Sequence, residues 1–350
     1  MRILALYDIH GNADALEAVL ADPRAAGPDA VVVGGDAVPG AFATAVLDRL
    51  QALSGDVRWV RGNGERETAA AVNGPRPAGG DNAAEMSAFT AQQLGPERAR
   101  ALGELPLSVI VDGVLFCHAT PRSDEELVTR ISPPERWSEV LTGVDAALVV
   151  AGHTHQQDDR IVGGVRFVNA GSVGLPYEGD GDARWLWIED GVPELRRTAY
   201  DAATAGRRMR DACAALTDSV NASLIDPVEA IVVTRMFEER ANIDHVAEHH
   251  MLSHHAARVR QPLGETSRLR HQQKAGRLGG VCGKDNRLRL LAYLALLGIE
   301  INDASHATAV IHGDLAHVAL HPNFTAPGFF GNRQDGDRRT RPRANLATIA

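Results

Sequence analysis

Five short apolar runs in the first half of the chain end in the same way, and this repetition constrains the fold more than any other feature. They are "RILALYDIHGN" (2–12), "AVVVGGDAVPG" (30–40), "DVRWVRGNGE" (56–65), "GVLFCHATP" (113–121) and "AALVVAGHTH" (146–155). Each is rich in β-branched or large apolar residues, is too brief for a helix, and stops close to a Gly or Pro, which predicts buried strands. Between the first three lie "ADALEAVLAD" (13–22) and "TAVLDRLQAL" (44–53), with Ala and Leu at spacings of three and four, the pattern of a helix with one apolar face. Strand, helix, strand implies a parallel layer with helices packed outside it.

In such layers ligands gather beyond the carboxyl ends of the strands. Asp8, His10, Asp36, Asn63, His118, His153 and His155 all stand there. Any one of them reads equally as a turn, cap or packing residue. Seven at five successive strand ends read as one site. His153 and His155 are two residues apart, so a strand would point both the same way. Imidazole, carboxylate and amide donors without a thiolate suit manganese first, with iron, zinc or nickel as alternatives. Seven donors are too many for one tetrahedral ion with an open position, and they fit two divalent ions sharing a bridging carboxylate.

Composition sets the outer bounds. A chain of 350 residues with 44 % hydrophobic content can bury one large core, or one plus a smaller appendage. Residues 1–240 hold 22 Arg, no Lys and 36 acids, a balance of −14; residues 241–350 hold 14 basic and 9 acidic residues, a balance of +5. The acidic first part argues against a broad nucleic-acid-binding face. Cys117, Cys213 and Cys282 are odd in number and scattered, which fits neither a disulfide framework nor a thiolate metal knuckle. No apolar leader follows a basic segment, and the longest apolar run, "LLAYLALLGI" (290–299), is too short to span a bilayer. The expectation is a soluble, cytoplasmic chain with reduced thiols and no membrane partner, its oligomeric state open.

The order D-x-H, G-G-D, G-N, a later H, then G-H-x-H resembles the calcineurin-like metallophosphoesterase superfamily, particularly its compact bacterial phosphodiesterase-like members. The likeness covers about residues 1–200, including "VRFVNAGSVGLP" (165–176). It implies an α/β fold, a two-layered β-sandwich flanked by helices, followed by a poorly defined C-terminal extension. Carried over by position, Asp8, His10, Asp36 and His155 hold one ion, and Asp36, Asn63, His118 and His153 hold the other. These seven residues are then also the catalytic set. The implied reaction is hydrolysis of a small, nucleotide-like phosphodiester by a hydroxide bridging the two ions. The alternatives are a phosphomonoesterase or dinucleoside polyphosphate hydrolase, or a catalytically weak metal-binding regulator.

"RGNGER" departs from the pattern. Where many members of the superfamily follow the Asn with a His that helps the leaving group depart, this chain has Gly64, with Glu65 after it. Gly64 is expected to accept a histidine unless its backbone is left-handed. Arg61 and Arg66 are candidate phosphate contacts or exposed helix-start residues; Asn12 is a phosphate contact or a turn residue. Residues 73–105 form a cap-like helical insertion or a plain connection packed on the core. "RWLWIEDGVPELRRTAY" (184–200) is expected to be a hairpin turning at Asp190-Gly191, with Trp185 and Trp187 in the core or on the sheet face. Helices are expected over 203–216 and 227–241, closing a domain at residue 242. Residues 243–350 are expected to be a basic, His-rich extension, partly disordered, with a small helical piece within 287–320. Its H-x-x-E-H at 245–249 is the pattern of an inverted zinc-peptidase motif, in a histidine-rich stretch where such a match arises cheaply.

Overall fold

The computed structural model describes residues 1–74 and 82–243, together with the backbone of two strands at 307–312 and 315–320. Ten strands form two five-stranded sheets. The first has the order β10-β9-β1-β2-β3, with β1 Arg2–Leu6, β2 Ala30–Val33, β3 Asp56–Trp59, β9 Ala183–Glu189 and β10 Val192–Thr198. The second has the order β4-β5-β6-β8-β7, with β4 Ser108–Val111, β5 Val114–Cys117, β6 Leu148–Ala151, β7 Gln157–Val162 and β8 Val165–Ala170. Strands β1, β2 and β3 run parallel, as do β5, β6 and β8. The five runs read as strands are therefore five of the six parallel strands, three in one sheet and two in the other, with β8 the sixth.

Alternation along each strand builds three layers of core. Ile3, Ala5 and Tyr7 face the second sheet, where Phe116, Leu148, Val150 and Val168 meet them. Tyr7 donates its hydroxyl to the Val150 carbonyl across that interface at 3.0 Å. Leu4 and Leu6 point the other way, onto helices α1 (Ala13–Ala21) and α2 (Ala43–Gln51) through Leu16, Val19, Val46 and Leu47. On the far side, Val149 and Ala151 meet Trp137 and Val140 of a short helix, Pro134–Val140. Because both faces of β2 and β6 are buried, those runs are apolar throughout instead of alternating with polar residues, whereas β3, at the edge of its sheet, keeps Arg58 exposed. Each fully buried large side chain contributes about 1.5–3 kcal/mol.

After α3 (Asn63–Ala71), the insertion carries α4 (Asn82–Leu94) and α5 (Pro96–Gly103). Ala91, Leu94, Ala99 and Leu102 are buried in the same cluster as α1 and α2, which is the packing of a helical connection on the core. The hairpin β9–β10 turns at Asp190 and Gly191, both at positive φ (49° and 76°), and Trp185 and Trp187 are buried in the helix-facing layer. After α6 (Pro134–Val140), the chain ends its described sandwich with α7 (Ala202–Ala212), α8 (Thr217–Val220), a π turn (Asn221–Ile225) and a last helix over 230–243 (α9). Among the described residues no helix is long and apolar enough to cross a membrane.

One expectation is corrected. The small helical piece placed within 287–320 is, over its described part, an antiparallel hairpin of β11 (Ala307–His312) and β12 (Leu315–Leu320). Residues 307–320 hold β-branched Thr308, Val310, Ile311 and Val318 on either side of a Gly-Asp pair, a turn signal between two short runs. Apart from that hairpin, the extension beyond 243 lies outside the described residues, including the H-x-x-E-H stretch and Cys282.

Candidate metal centre

The parallel strands end level with one another: Leu6 pairs with Val33, Val33 with Trp59, and Phe116 with Val150. Their loops therefore emerge at one edge of the sandwich. Asp8, His10, Asp36, His153 and His155 all take positive φ, between 48° and 68°. This conformation is uncommon for any residue with a side chain and costs on the order of 1–3 kcal/mol each. Five such residues in one place mark a site whose geometry the surrounding packing enforces.

The donors converge. Asp8 Oδ1 lies 3.3 Å from His155 Nε2 and 3.9 Å from both His10 Nε2 and His118 Nε2. Asp36 faces both ways, with Oδ2 3.6 Å from His10 Nε2 and Oδ1 3.6 Å from His118 Nε2. Two compact groups result, Asp8 with His10 and His155, and Asp8 with Asp36 and His118, and either could hold a metal ion. The His153 ring stands beside the second group, its centre 5.0 Å from that of His118, and Asn63 adjoins Gly64, whose N–H is bonded to Asp36 Oδ1.

Hydrogen bonds behind the site fix which nitrogen faces it. His10 Nδ1 lies 3.2 Å from the Pro39 carbonyl, His118 Nδ1 3.2 Å from that of Gly34, and His155 Nδ1 2.7 Å from that of Leu175. A carbonyl only accepts, so each Nδ1 carries the proton and each Nε2 presents a lone pair to the centre. His10 Nε2 and His155 Nε2 are 3.1 Å apart, two lone pairs facing each other. Asp8 Oδ1, Asn63 Oδ1 and His118 Nε2 are buried with no hydrogen-bond partner. Buried acceptors without donors are costly, and bound cations would satisfy them. The residues fit divalent ions.

Electrostatics point the same way. Burial, with the other imidazoles alongside, pushes His10 and His153 down to about 3, and burial lowers His118 as well, so these rings stay in the neutral, metal-binding state. Burial, reinforced by Glu65 and Asp8, holds the Asp36 carboxyl well above the usual carboxylate range. Positive charge in the centre would relieve that crowding.

Several supporting residues were not legible as such. Glu65 is buried and accepts from the N–H groups of Asp36 (2.8 Å), Gly62 (2.8 Å) and Val38 (3.3 Å), so it anchors the Asp36 loop and does not face substrate. Burial raises it to about 7. Glu67 accepts from Asn63 Nδ2 at 3.2 Å, which turns Asn63 Oδ1 inward; the i,i+4 spacing on α3 is the signal that could have found it. Tyr177 stacks on the His155 ring, with centroids 5.1 Å apart and planes 11° from parallel. It lies 22 positions along the chain, with no local pattern to betray it. Replacing Glu67 with alanine frees the Asn63 amide to turn over, and manganese affinity at one of two sites is expected to fall about tenfold. Glu67→Gln, which keeps an acceptor, should stay near wild type; calorimetric titration with Mn²⁺ checks both.

The remaining candidates are engaged elsewhere. Asn12 caps α1 by accepting from Ala15 N at 3.0 Å and donates to the Gly174 carbonyl (2.8 Å) and the Tyr200 hydroxyl (3.0 Å), which leaves no amide hydrogen for a phosphate. Arg61 donates to Asp124 (3.1 Å) and the Gly103 carbonyl (3.2 Å), while Arg66 donates to Asp124 (3.2 Å) and Glu125 (2.8 Å). His153 Nε2 reaches the Glu125 carbonyl at 3.0 Å, which leaves Nδ1 as its metal-binding atom. Gly64 also departs from expectation. Its φ is not positive, yet a Cβ there would lie 2.4 Å from Pro39 Cδ and the Val38 carbonyl oxygen, and 2.8 Å from Asp36 Oδ1. Packing, and not backbone conformation, excludes a side chain.

Comparison with known proteins agrees with this geometry. A metallophosphoesterase crystal structure from Sphaerobacter thermophilus is 26 % identical with a TM-score of 0.53, covering 65 % of this chain and 99 % of that one. A hypothetical protein from Pyrococcus horikoshii OT3 is 16 % identical with a TM-score of 0.55 over the same shares, a likeness of fold alone. No curated protein matches the chain. The sequence profile of the calcineurin-like phosphoesterase superfamily domain matches residues 1–187. With its two sheets, flanking helices and converging donor groups, the chain belongs to the calcineurin-like phosphoesterase superfamily, a family of metal-dependent phosphoesterases.

Proposed function

We propose that this chain hydrolyses small, nucleotide-like phosphodiesters at a two-ion centre, with Asp8, His10, Asp36 and His155 on one ion and Asp36, Asn63, His118 and His153 on the other. Two carboxylates compete for the bridge, and the direction of their oxygens favours one. Asp8 Oδ2 accepts from the His153 backbone N–H at 2.9 Å, and all three imidazoles near Asp8 lie against its Oδ1 alone. The oxygens of Asp36 diverge to the two histidine groups, with Oδ1 also accepting from Gly64 N at 2.8 Å. Asp36 is the better bridge. The mixed nitrogen and oxygen set favours manganese, with iron, zinc or nickel as substitutes. When bound, such ions supply positive charge for the phosphoryl oxygens and activate an attacking water between them as hydroxide.

The preference for diesters rests on the packed position of Gly64. No imidazole stands there to protonate a departing oxygen, a contribution of typically 10²–10⁴ in rate, and Arg61 and Arg66 are held by Asp124 and Glu125. A substrate with one phosphoryl charge and a good leaving group needs the least from such a site. The partner is accordingly a small phosphoester, and the cytoplasm is the compartment proposed.

The test is a panel of aryl and alkyl mono- and diesters with the stripped protein reloaded with Mn²⁺. Rates should rise steeply with leaving-group acidity and diesters should exceed monoesters. Similar rates for aryl and alkyl esters, with chemistry rate-limiting, would overturn the reading. Tight Mn²⁺ binding without turnover of any ester would make the chain a metal-binding regulator.

A further inference from the structure

We infer that α9, a helix that donates no atom to the metal centre, positions His155 within it. This rests on His155 being a metal ligand and goes beyond the family resemblance, since α9 lies outside the matched residues 1–187.

Two contacts carry the inference. The His155 ring is stacked on Tyr177, and Tyr177 in turn meets the ring of Phe237 of α9 at a steep angle of 62°, with centroids 6.0 Å apart. Next along the chain, the buried amide of Gln156 is satisfied through α9. Its Nε2 donates to the Tyr177 carbonyl (3.0 Å) and to the Ala230 carbonyl (2.7 Å), and its Oε1 accepts from the Thr234 hydroxyl (2.7 Å). A ligand and its sequence neighbour are thus both held by the same remote helix.

The helix is itself pinned. Glu238 accepts from Thr129 Oγ1 at 2.6 Å and from the Ser132 hydroxyl, and Arg136 donates to the Ala241 carbonyl at 3.2 Å. Thr234 is fully buried and Gln156, Thr129 and Ser132 nearly so, so these bonds are shielded from water. His155 takes a strained positive φ of 57°. A strained loop keeps one conformation only while its surroundings over-determine it. The Leu175 carbonyl fixes the imidazole tautomer; Tyr177, backed by Phe237, fixes the plane of the ring.

Mn²⁺ titration of the full chain by calorimetry tests this, comparing wild type with Phe237→Ala and Thr234→Val. The expectation is that one of two Mn²⁺ sites, the one with His155, weakens about tenfold while the other stays within threefold. Phe237→Leu, which refills the volume, should recover most of the loss. In a His155→Ala background, Phe237→Ala should cost nothing further, because the two act through one contact. Affinities within twofold of wild type in folded variants would overturn the inference, as would equal weakening at both sites or an undiminished effect in the His155→Ala background. If Phe237→Ala does not fold, Thr234→Val decides on the same criteria, which do not apply to the volume-restoring Phe237→Leu. Absence of any Mn²⁺ binding by wild type would instead overturn the metal centre, and this inference with it.

Discussion

Replacing Asp36 with asparagine should cost more activity than any other single substitution in the chain, about 10³-fold or more in kcat/KM, with bound Mn²⁺ falling from two equivalents to one or fewer. The size follows from the bridge. Asparagine turns one of the two oxygens into an NH2 that cannot ligate and leaves the other uncharged, which removes several kcal/mol of transition-state charge stabilisation, and each 1.36 kcal/mol is tenfold in rate. The fold should survive. Asparagine is comparatively tolerant of the positive φ of 50° at this position and keeps an oxygen for the Gly64 N–H. Without metal, Asp36 is a carboxyl raised by burial and by Glu65 and Asp8. A neutral amide escapes that crowding, so the metal-free variant should melt no lower than the metal-free wild type. Metal content by elemental analysis, turnover, and melting with and without Mn²⁺ check the three parts together. Two equivalents of metal with most of the turnover retained would refute the bridging role.

The second large effect concerns Gly64. Installing a histidine there to restore the missing imidazole should fail as a gain of function and instead damage the protein. Its Cβ would come within 2.4 Å of the Val38 carbonyl oxygen and Pro39 Cδ, and 2.8 Å of Asp36 Oδ1, far inside contact distance. Overpacking of this kind costs about 1–3 kcal/mol, and at roughly 2–4 °C per kcal/mol for a domain of this size the melting point of Gly64→Ala should fall by about 2–12 °C. Gly64→His should fall at least as far. Because the displaced atom belongs to Asp36, Mn²⁺ affinity should drop as well, and the dependence on leaving-group acidity should remain steep. Thermal melts and the ester panel measure both effects. An unshifted melting point with faster cleavage of poor leaving groups would show that the loop yields and the position is open to chemistry after all.

Much of the site was written into the chain. A strand that must be buried on both faces reads as an unbroken apolar run, and a residue at its carboxyl end has nowhere to go but the edge of the sheet. Asp8, Asp36, Asn63, His118 and the His153–His155 pair could therefore be gathered into one place from local signals. The turn at Asp190-Gly191 was legible for the same reason, since it depends on residues within a few positions of each other. Where two local signals competed, over 307–320, the reading chose the helix and the backbone pairs as a hairpin.

Tertiary structure decided everything that joins distant positions. It divided the five strand ends between two sheets, turned Asp8 Oδ2 to the His153 N–H 145 residues away, and pointed the two oxygens of Asp36 at different histidines. It gave Arg61 and Arg66 carboxylate partners, sealed Gly64 against Pro39, and set Phe237 behind Tyr177 and His155. Composition and spacing name which donors a chain can bring to an edge, because propensity and periodicity act along the sequence. Which oxygen is free, which position has room, and which helix steadies a ligand depend on atoms that meet only after packing, and packing is settled by the whole core at once.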